Sequence, residues 1–143
     1  MNDEDIRIVT ALFAEINNKL SKTSQETLLK IYKNLTIAEA SAIYAVGPDK
    51  PKTMKQIAET LGVAVSTPTR TIDRLLEKGF VNRKVGEKDR RKLLIELTPK
   101  GKKLLVDIDK ENLEITKKML NGLSDEEIET FKDILFKIGE NIE

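Results

Sequence analysis

The side chains with the clearest chemical potential in this sequence are basic and hydroxylic rather than nucleophilic. Lys88, Asp89, Arg90 and Arg91 lie between two short runs of alternating branched residues, and Ser66, Thr67, Thr69, Arg70 and Arg74 cluster upstream of them. A guanidinium is a planar fork of donors that matches guanine O6 and N7, whereas short hydroxyls suit phosphates or the thymine methyl group. An arginine at an exposed hairpin tip is drawn into a narrow minor groove by its enhanced negative potential. A polar helix face and a basic hairpin together offer two probes for adjacent grooves of one duplex, so the pattern predicts double-stranded DNA as the partner. Arg90 is the first residue expected to touch it. Asp89 reads as a buttress that pairs with Arg74 or Arg91 and fixes the tip.

Other chemistries have little to work with. The 143 residues include no cysteine and no histidine, which excludes disulfides, thiol switches, Cys or His metal sites and the commonest nucleophile and base pairings. The sequence has no Asp-x-Asp-x-Asp-Gly loop and no glycine-rich phosphate cradle, so neither enzymatic activity, nor a metal, nor a cofactor is expected. No apolar run approaches the roughly 20 residues that cross a bilayer, and the start Met1-Asn2-Asp3-Glu4-Asp5 is acidic where a secretion signal is basic. No membrane association and a cytoplasmic location are expected. The net charge of +1 conceals a division along the chain, because Lys50 to Lys103 holds 15 basic and 6 acidic residues while the remainder holds 10 and 18. The local excess of +9 coincides with the proposed DNA probes.

The elements that must carry these residues follow from periodicity and capping. Ile6, Val9, Phe13, Ile16 and Leu20 step by three and four, predicting a first helix of about five turns. Thr36 with Glu39 predicts a capping box and a second helix from Ile37 to about Val46, broken by Gly47-Pro48-Asp49-Lys50-Pro51, a loop that can end in a short edge strand. Thr53 with Gln56 opens a third helix that stops at Gly62, and Ile72, Leu75 and Leu76 mark the inner face of a fourth ending at Lys78-Gly79. Phe80 to Val85 and Leu93 to Leu97 read as an antiparallel hairpin. Thr98-Pro99 starts a fifth helix running to Leu120, and Ser124 with Glu127 starts a sixth with Ile128, Phe131, Leu135, Ile138 and Ile142 in step.

The fold class expected is mainly α with a small β-hairpin wing: a winged helix-turn-helix core plus N- and C-terminal dimerisation helices. The expected division is residues 1–34 for an N-terminal dimerisation helix, 35–100 for the DNA-binding lobe and 101–143 for C-terminal dimerisation helices. The stripes Ile6, Val9, Phe13 and Ile128, Phe131, Leu135, Ile138 lie outside the helix-turn-helix segment and need a surface to bury against; packing within the chain is the alternative, and coiled-coil-like spacing at both ends predicts a homodimer.

Leu61-Gly62, Thr67, Arg70, Asp73-Arg74-Leu75, Glu77-Lys78-Gly79-Phe80-Val81, Asp89-Arg90-Arg91 and Leu97-Thr98-Pro99-Lys100-Gly101 together resemble the MarR family of winged helix-turn-helix regulators. The resemblance covers the middle third closely and the whole helix order loosely. It implies a dimeric transcriptional regulator, usually a repressor, bound to a pseudo-palindromic operator, with Arg90 at the position of the wing's minor-groove arginine. It also implies release by a small aromatic effector held between the dimer helices and the DNA-binding lobe, where Tyr32 and Tyr44 are candidate lining residues; core packing is the commoner role for such tyrosines. Two departures stand out. Ala64 replaces the usual cap of the recognition helix and Pro68 occupies a helix-former's position, so either Ser66 becomes the cap, the favoured reading, or the helix start is distorted. The alternative function for the same fold is a winged-helix protein-interaction module, which retention on heparin or genomic DNA would argue against.

Overall fold

In a computed structural model, which describes residues 1–142, the expected elements form in the expected order. Helix α1 spans Asp3–Ile31, with the Asn2 side chain accepting from the Asp5 amide and three acidic residues in the first turn, where the helix dipole favours them. It is longer than the five turns predicted from its apolar stripe. The stripe stops at Leu20, but Lys22, Gln25 and Glu26 are good helix formers and Leu28 beyond them is buried, so propensity and packing carry the helix on. Tyr32, extended at φ −154°, ends it.

Helix α2 spans Ile37–Val46 and buries Ala42, Ile43, Ala45 and Val46, the signature of a central helix apolar on most sides. The expected capping box is only half present. The Thr36 hydroxyl accepts from the Glu39 amide, but the Glu39 carboxylate turns into the protein instead of back to the Thr36 amide. Gly47, at φ 69°, stops α2, and the Lys52 ammonium donates to the Val46 carbonyl at 3.0 Å.

Strand β1, Lys52–Thr53, is the short edge strand after Pro51, and α3, Met54–Leu61, opens on the complete Thr53–Gln56 capping box. Helix α4, Thr69–Glu77, starts later than the favoured reading placed it. Its N-cap is Pro68, in αR conformation and with no side-chain cap bond, and Ser66 does not cap it. The chain makes a turn first, in which the Thr67 amide donates to the Ala64 carbonyl at 3.0 Å; buried Pro68, which lacks an amide, then supplies the carbonyl that Ile72 bonds at 2.9 Å. The distorted start is therefore the one observed.

Strands β2, Val81–Val85, and β3, Leu93–Leu97, pair antiparallel from Val81 with Leu97 to Val85 with Leu93, and β1 pairs with the other edge of β3 to give the order β1-β3-β2. Helix α5, Pro99–Met119, begins at Thr98, whose hydroxyl accepts from the Gly101 amide at 3.1 Å and donates to the Gly79 carbonyl at 2.6 Å. One side chain thus caps α5 and fastens the turn after α4. Thr98→Ala is expected to cost about 1–2 kcal/mol, read as a shift in denaturation midpoint. Helix α6, Asp125–Asn141, carries the third capping box in full, and the backbone hydrogen bond from Ser124 holds the Glu127 carboxyl below its ordinary range.

The chain divides into two compact units, Met1–Asp109 and Lys110–Glu143. The core of the first is Ile43, Ile57, Ile72, Leu75, Phe80, Val81 and Ile95, each at most 2% exposed, with Leu28, Leu104 and Leu105 around them. Burial on this scale stabilises by about 1.5–3 kcal/mol per side chain. In the second unit α6 buries no residue.

Candidate nucleic-acid interface

The core fixes which face of α4 is free. Ile72 and Leu75 point inward, leaving Thr69, Arg70, Asp73, Arg74 and Glu77 exposed, with Ser66 and Thr67 exposed in the turn before them. The five residues expected to read DNA from this segment therefore share the outer surface of the lobe, though only Thr69, Arg70 and Arg74 are helical. No side chain caps α4, so its first amides remain free for an acceptor such as phosphate.

The wing is fixed by local hydrogen bonds. Beyond the last strand pair the Gly86 amide donates to the Lys92 carbonyl at 2.9 Å, and the Lys92 amide donates to the Asp89 carbonyl at 3.1 Å. Gly86 is required here, since a Cβ would lie 2.6 Å from the Asp89 carbonyl oxygen. The Asp89 carboxylate accepts from the Arg91 amide at 3.0 Å and from its Nε at 3.3 Å. Of the two partners left open for Asp89, Arg91 is the one found; the carboxylate nearest Arg74 is Glu39, 3.7 Å away. The Arg91 side chain stays 94% exposed despite this bond, and Lys88 and Arg90 are exposed as well. Among the described residues no carboxylate pairs with Arg70, Lys88 or Arg90, so their charges are available to a polyanion.

The two probes are joined directly. Arg83 on β2 donates to Asp73 on α4 at 2.6 Å, a half-exposed ion pair that links α4 to the wing strand. Sequence reasoning did not assign this pair; the available signal was an acidic residue on the outer face of α4 opposite a basic one on an outward strand position.

The candidate effector tyrosines are not equivalent. Tyr32 packs its ring edge-on against Phe80, centroids 5.3 Å apart, with the Lys100 ammonium 5.6 Å from the Tyr32 ring and 4.5 Å from that of Phe80. Tyr44, on α2, is 66% exposed. Among the described residues no helix is long and apolar enough to cross a membrane.

Comparison with known proteins agrees with this geometry. A family model described as MarR family matches residues 35–93, the span from two residues before α2 to the first residue of β3. The HTH-type transcriptional regulator YwoH of Bacillus subtilis (strain 168) is 36% identical over 94 residues, 66% of this chain and 68% of that protein. A MarR family protein from Bacillus stearothermophilus superposes with a TM-score of 0.87 at 24% identity, covering 99% of this chain and 97% of that one. FabT of Streptococcus pneumoniae, solved in complex with DNA, superposes with a TM-score of 0.81 at 27% identity over 94% of each chain. The match in sequence to the family model and to YwoH, together with the match in fold, places the chain in the MarR family of transcriptional regulators, with the family's DNA-binding winged-helix fold.

Proposed function

We propose that the protein is a homodimeric, sequence-specific repressor that binds a pseudo-palindromic DNA operator and releases it on binding a small aromatic effector. The observation that carries the reading is the set of unpaired cations on both probes, Arg70 on α4 and Lys88 and Arg90 at the wing tip, in a lobe whose helix and wing are bridged by Asp73 and Arg83. Arg70 is assigned to a guanine edge, Arg74 to phosphate, and Ser66, Thr67 and Thr69 to phosphates or thymine methyls. Arg90 is assigned to the minor groove, with Lys88 and Arg91 on the flanking backbone.

Support for the dimer comes from the apolar stripes, each considered alone. On α1, Ile6, Val9 and Phe13 are 44–49% exposed, and on α6, Phe131 and Leu135 are 39% and 47% exposed beside half-buried Ile128 and Ile138. Residues 1–34 and 101–143 are assigned to dimerisation. Two copies of α4 set about 34 Å apart would meet successive major grooves on one face of the duplex. For the effector, Tyr44 is the tyrosine whose ring is open to a ligand, while Tyr32 is engaged by Phe80. A chromosomal regulator works in the cytoplasm, and this reading assigns no turnover to the chain.

The wing provides the test. Arg90→Ala is expected to weaken binding to the protein's own upstream DNA and to reduce the salt dependence by about one unit of slope, leaving thermal stability unchanged because the side chain is exposed. A salt titration with the same slope and affinity as wild type would remove Arg90 from the interface.

A further inference from the structure

Glu39 is the one charged side chain buried among the described residues, at 1% exposure. Its carboxylate is fully engaged. Oε2 accepts from the Lys78 ammonium at 2.6 Å, while Oε1 accepts from the Thr36 hydroxyl at 3.2 Å and lies 3.7 Å from Arg74 Nε. Lys78 is the C-cap of α4; its ammonium also donates to the Asn34 carbonyl, and its own carbonyl accepts from the Lys100 ammonium at 2.8 Å. The end of α4 farthest from Thr69 is thus tied to the α1–α2 corner, to α2 and to α5.

The ties are directional where the packing beneath α4 is not. Ile72 and Leu75 set the depth of the helix in the core, but apolar contact is nearly indifferent to small rotations and tilts. A charge-assisted pair with little solvent access holds a length and an angle. Nine residues make α4 about 13 Å long, so a tilt of about 5° at its C-terminal end moves Thr69 and Arg70 by about 1 Å, enough to spoil base contacts.

We propose that Glu39 is a positioning residue for DNA recognition: through Lys78 and Arg74 it sets the angle at which α4 meets the duplex. The proposal rests on the reading that α4 enters the major groove. Glu39 touches no DNA, so its loss acts on sequence discrimination and not on the general attraction to phosphate. Removing its charge frees Arg74 and raises the net charge of the lobe, which favours non-specific binding.

The test measures affinity at fixed salt for two duplexes, one selected from the source genome by the wild-type protein and one of scrambled sequence. For Glu39→Gln the ratio of the two affinities is expected to fall about tenfold, within the worth of one good base contact, with scrambled binding unchanged or tighter. Glu39→Asp, which keeps the charge, should recover part of the ratio. The double variant Glu39→Met with Lys78→Met replaces the buried pair by apolar bulk that such sites tolerate, and it should lose the same discrimination even if Glu39→Gln fails to fold. An unchanged ratio in the double variant, or equal weakening on both duplexes, would overturn the proposal. A wild-type protein that prefers neither duplex would contradict the DNA-reading function, and the positioning role with it.

Discussion

Replacing Gly101 by alanine is expected to destabilise the winged-helix unit by about 3 kcal/mol or more, although alanine is the better helix former by roughly 1 kcal/mol. Gly101 lies in the first turn of α5, where a Cβ would stand 2.1 Å from the Phe80 carbonyl oxygen and 3.1 Å from its carbon. Both obstacles are backbone. Phe80 is 1% exposed, and its carbonyl accepts from the Thr98 amide at 3.0 Å, so the chain cannot retreat without breaking the join between the end of α4, the sheet and α5. Overpacking that a side-chain rotation relieves costs about 1–3 kcal/mol, and a displaced backbone lies at or beyond the top of that range. Gly139, in α6, has nothing within 4 Å of its Cβ position. Gly139→Ala is therefore expected to be neutral or stabilising by up to about 1 kcal/mol. The urea midpoint of Gly101→Ala should fall while that of Gly139→Ala holds or rises; a harmless Gly101→Ala would contradict the packing of α5 on Phe80.

The second large effect concerns assembly. Phe13→Glu places a charge in the middle of the α1 stripe, where the phenyl ring is 46% exposed in the single chain. In an isolated chain such a change is tolerated, since surface substitutions usually stay within about 0.5 kcal/mol. At the centre of a homodimer interface it buries two unpaired carboxylates, one per copy. Sedimentation is expected to show the wild type as two chains and the variant as one. Operator affinity should fall by about 100-fold or more, because each lobe loses the effective concentration that its partner supplied. A wild-type protein sedimenting as one chain, or a variant that stays paired, would refute the α1 stripe as the interface.

The parts of the fold legible in the sequence are those written in local rules. Thr53 with Gln56 and Ser124 with Glu127 form both bonds of their capping boxes, and the alternating runs after Phe80 pair as the wing. Where a residue had a choice of partners, local rules chose wrongly or stayed silent. Glu39 has the spacing of a capping-box acid, but half-buried Lys78, 39 positions away, offers its carboxylate a counter-charge, and the ion pair wins over a backbone amide. Ser66 has the chemistry of a cap, yet Pro68 is buried and fixes the turn, so α4 begins at Thr69. The Asp73–Arg83 bridge depends on how the wing folds against α4; the ten-residue separation does not reveal it until both outward faces are placed. At the wing the partner of Asp89 was one of two arginines, and the tip's own turn selects Arg91, two residues on.

If α4 and the wing read DNA together, the protein must distinguish one duplex sequence from another. The measurement that tests it most directly is a titration of the full chain with a genome-selected duplex and its scrambled counterpart across a range of salt. A preference of about 10³-fold or more for the selected duplex, with log affinity falling linearly against log salt, is the predicted result. Equal affinity for both duplexes, or no binding at low salt, would contradict it.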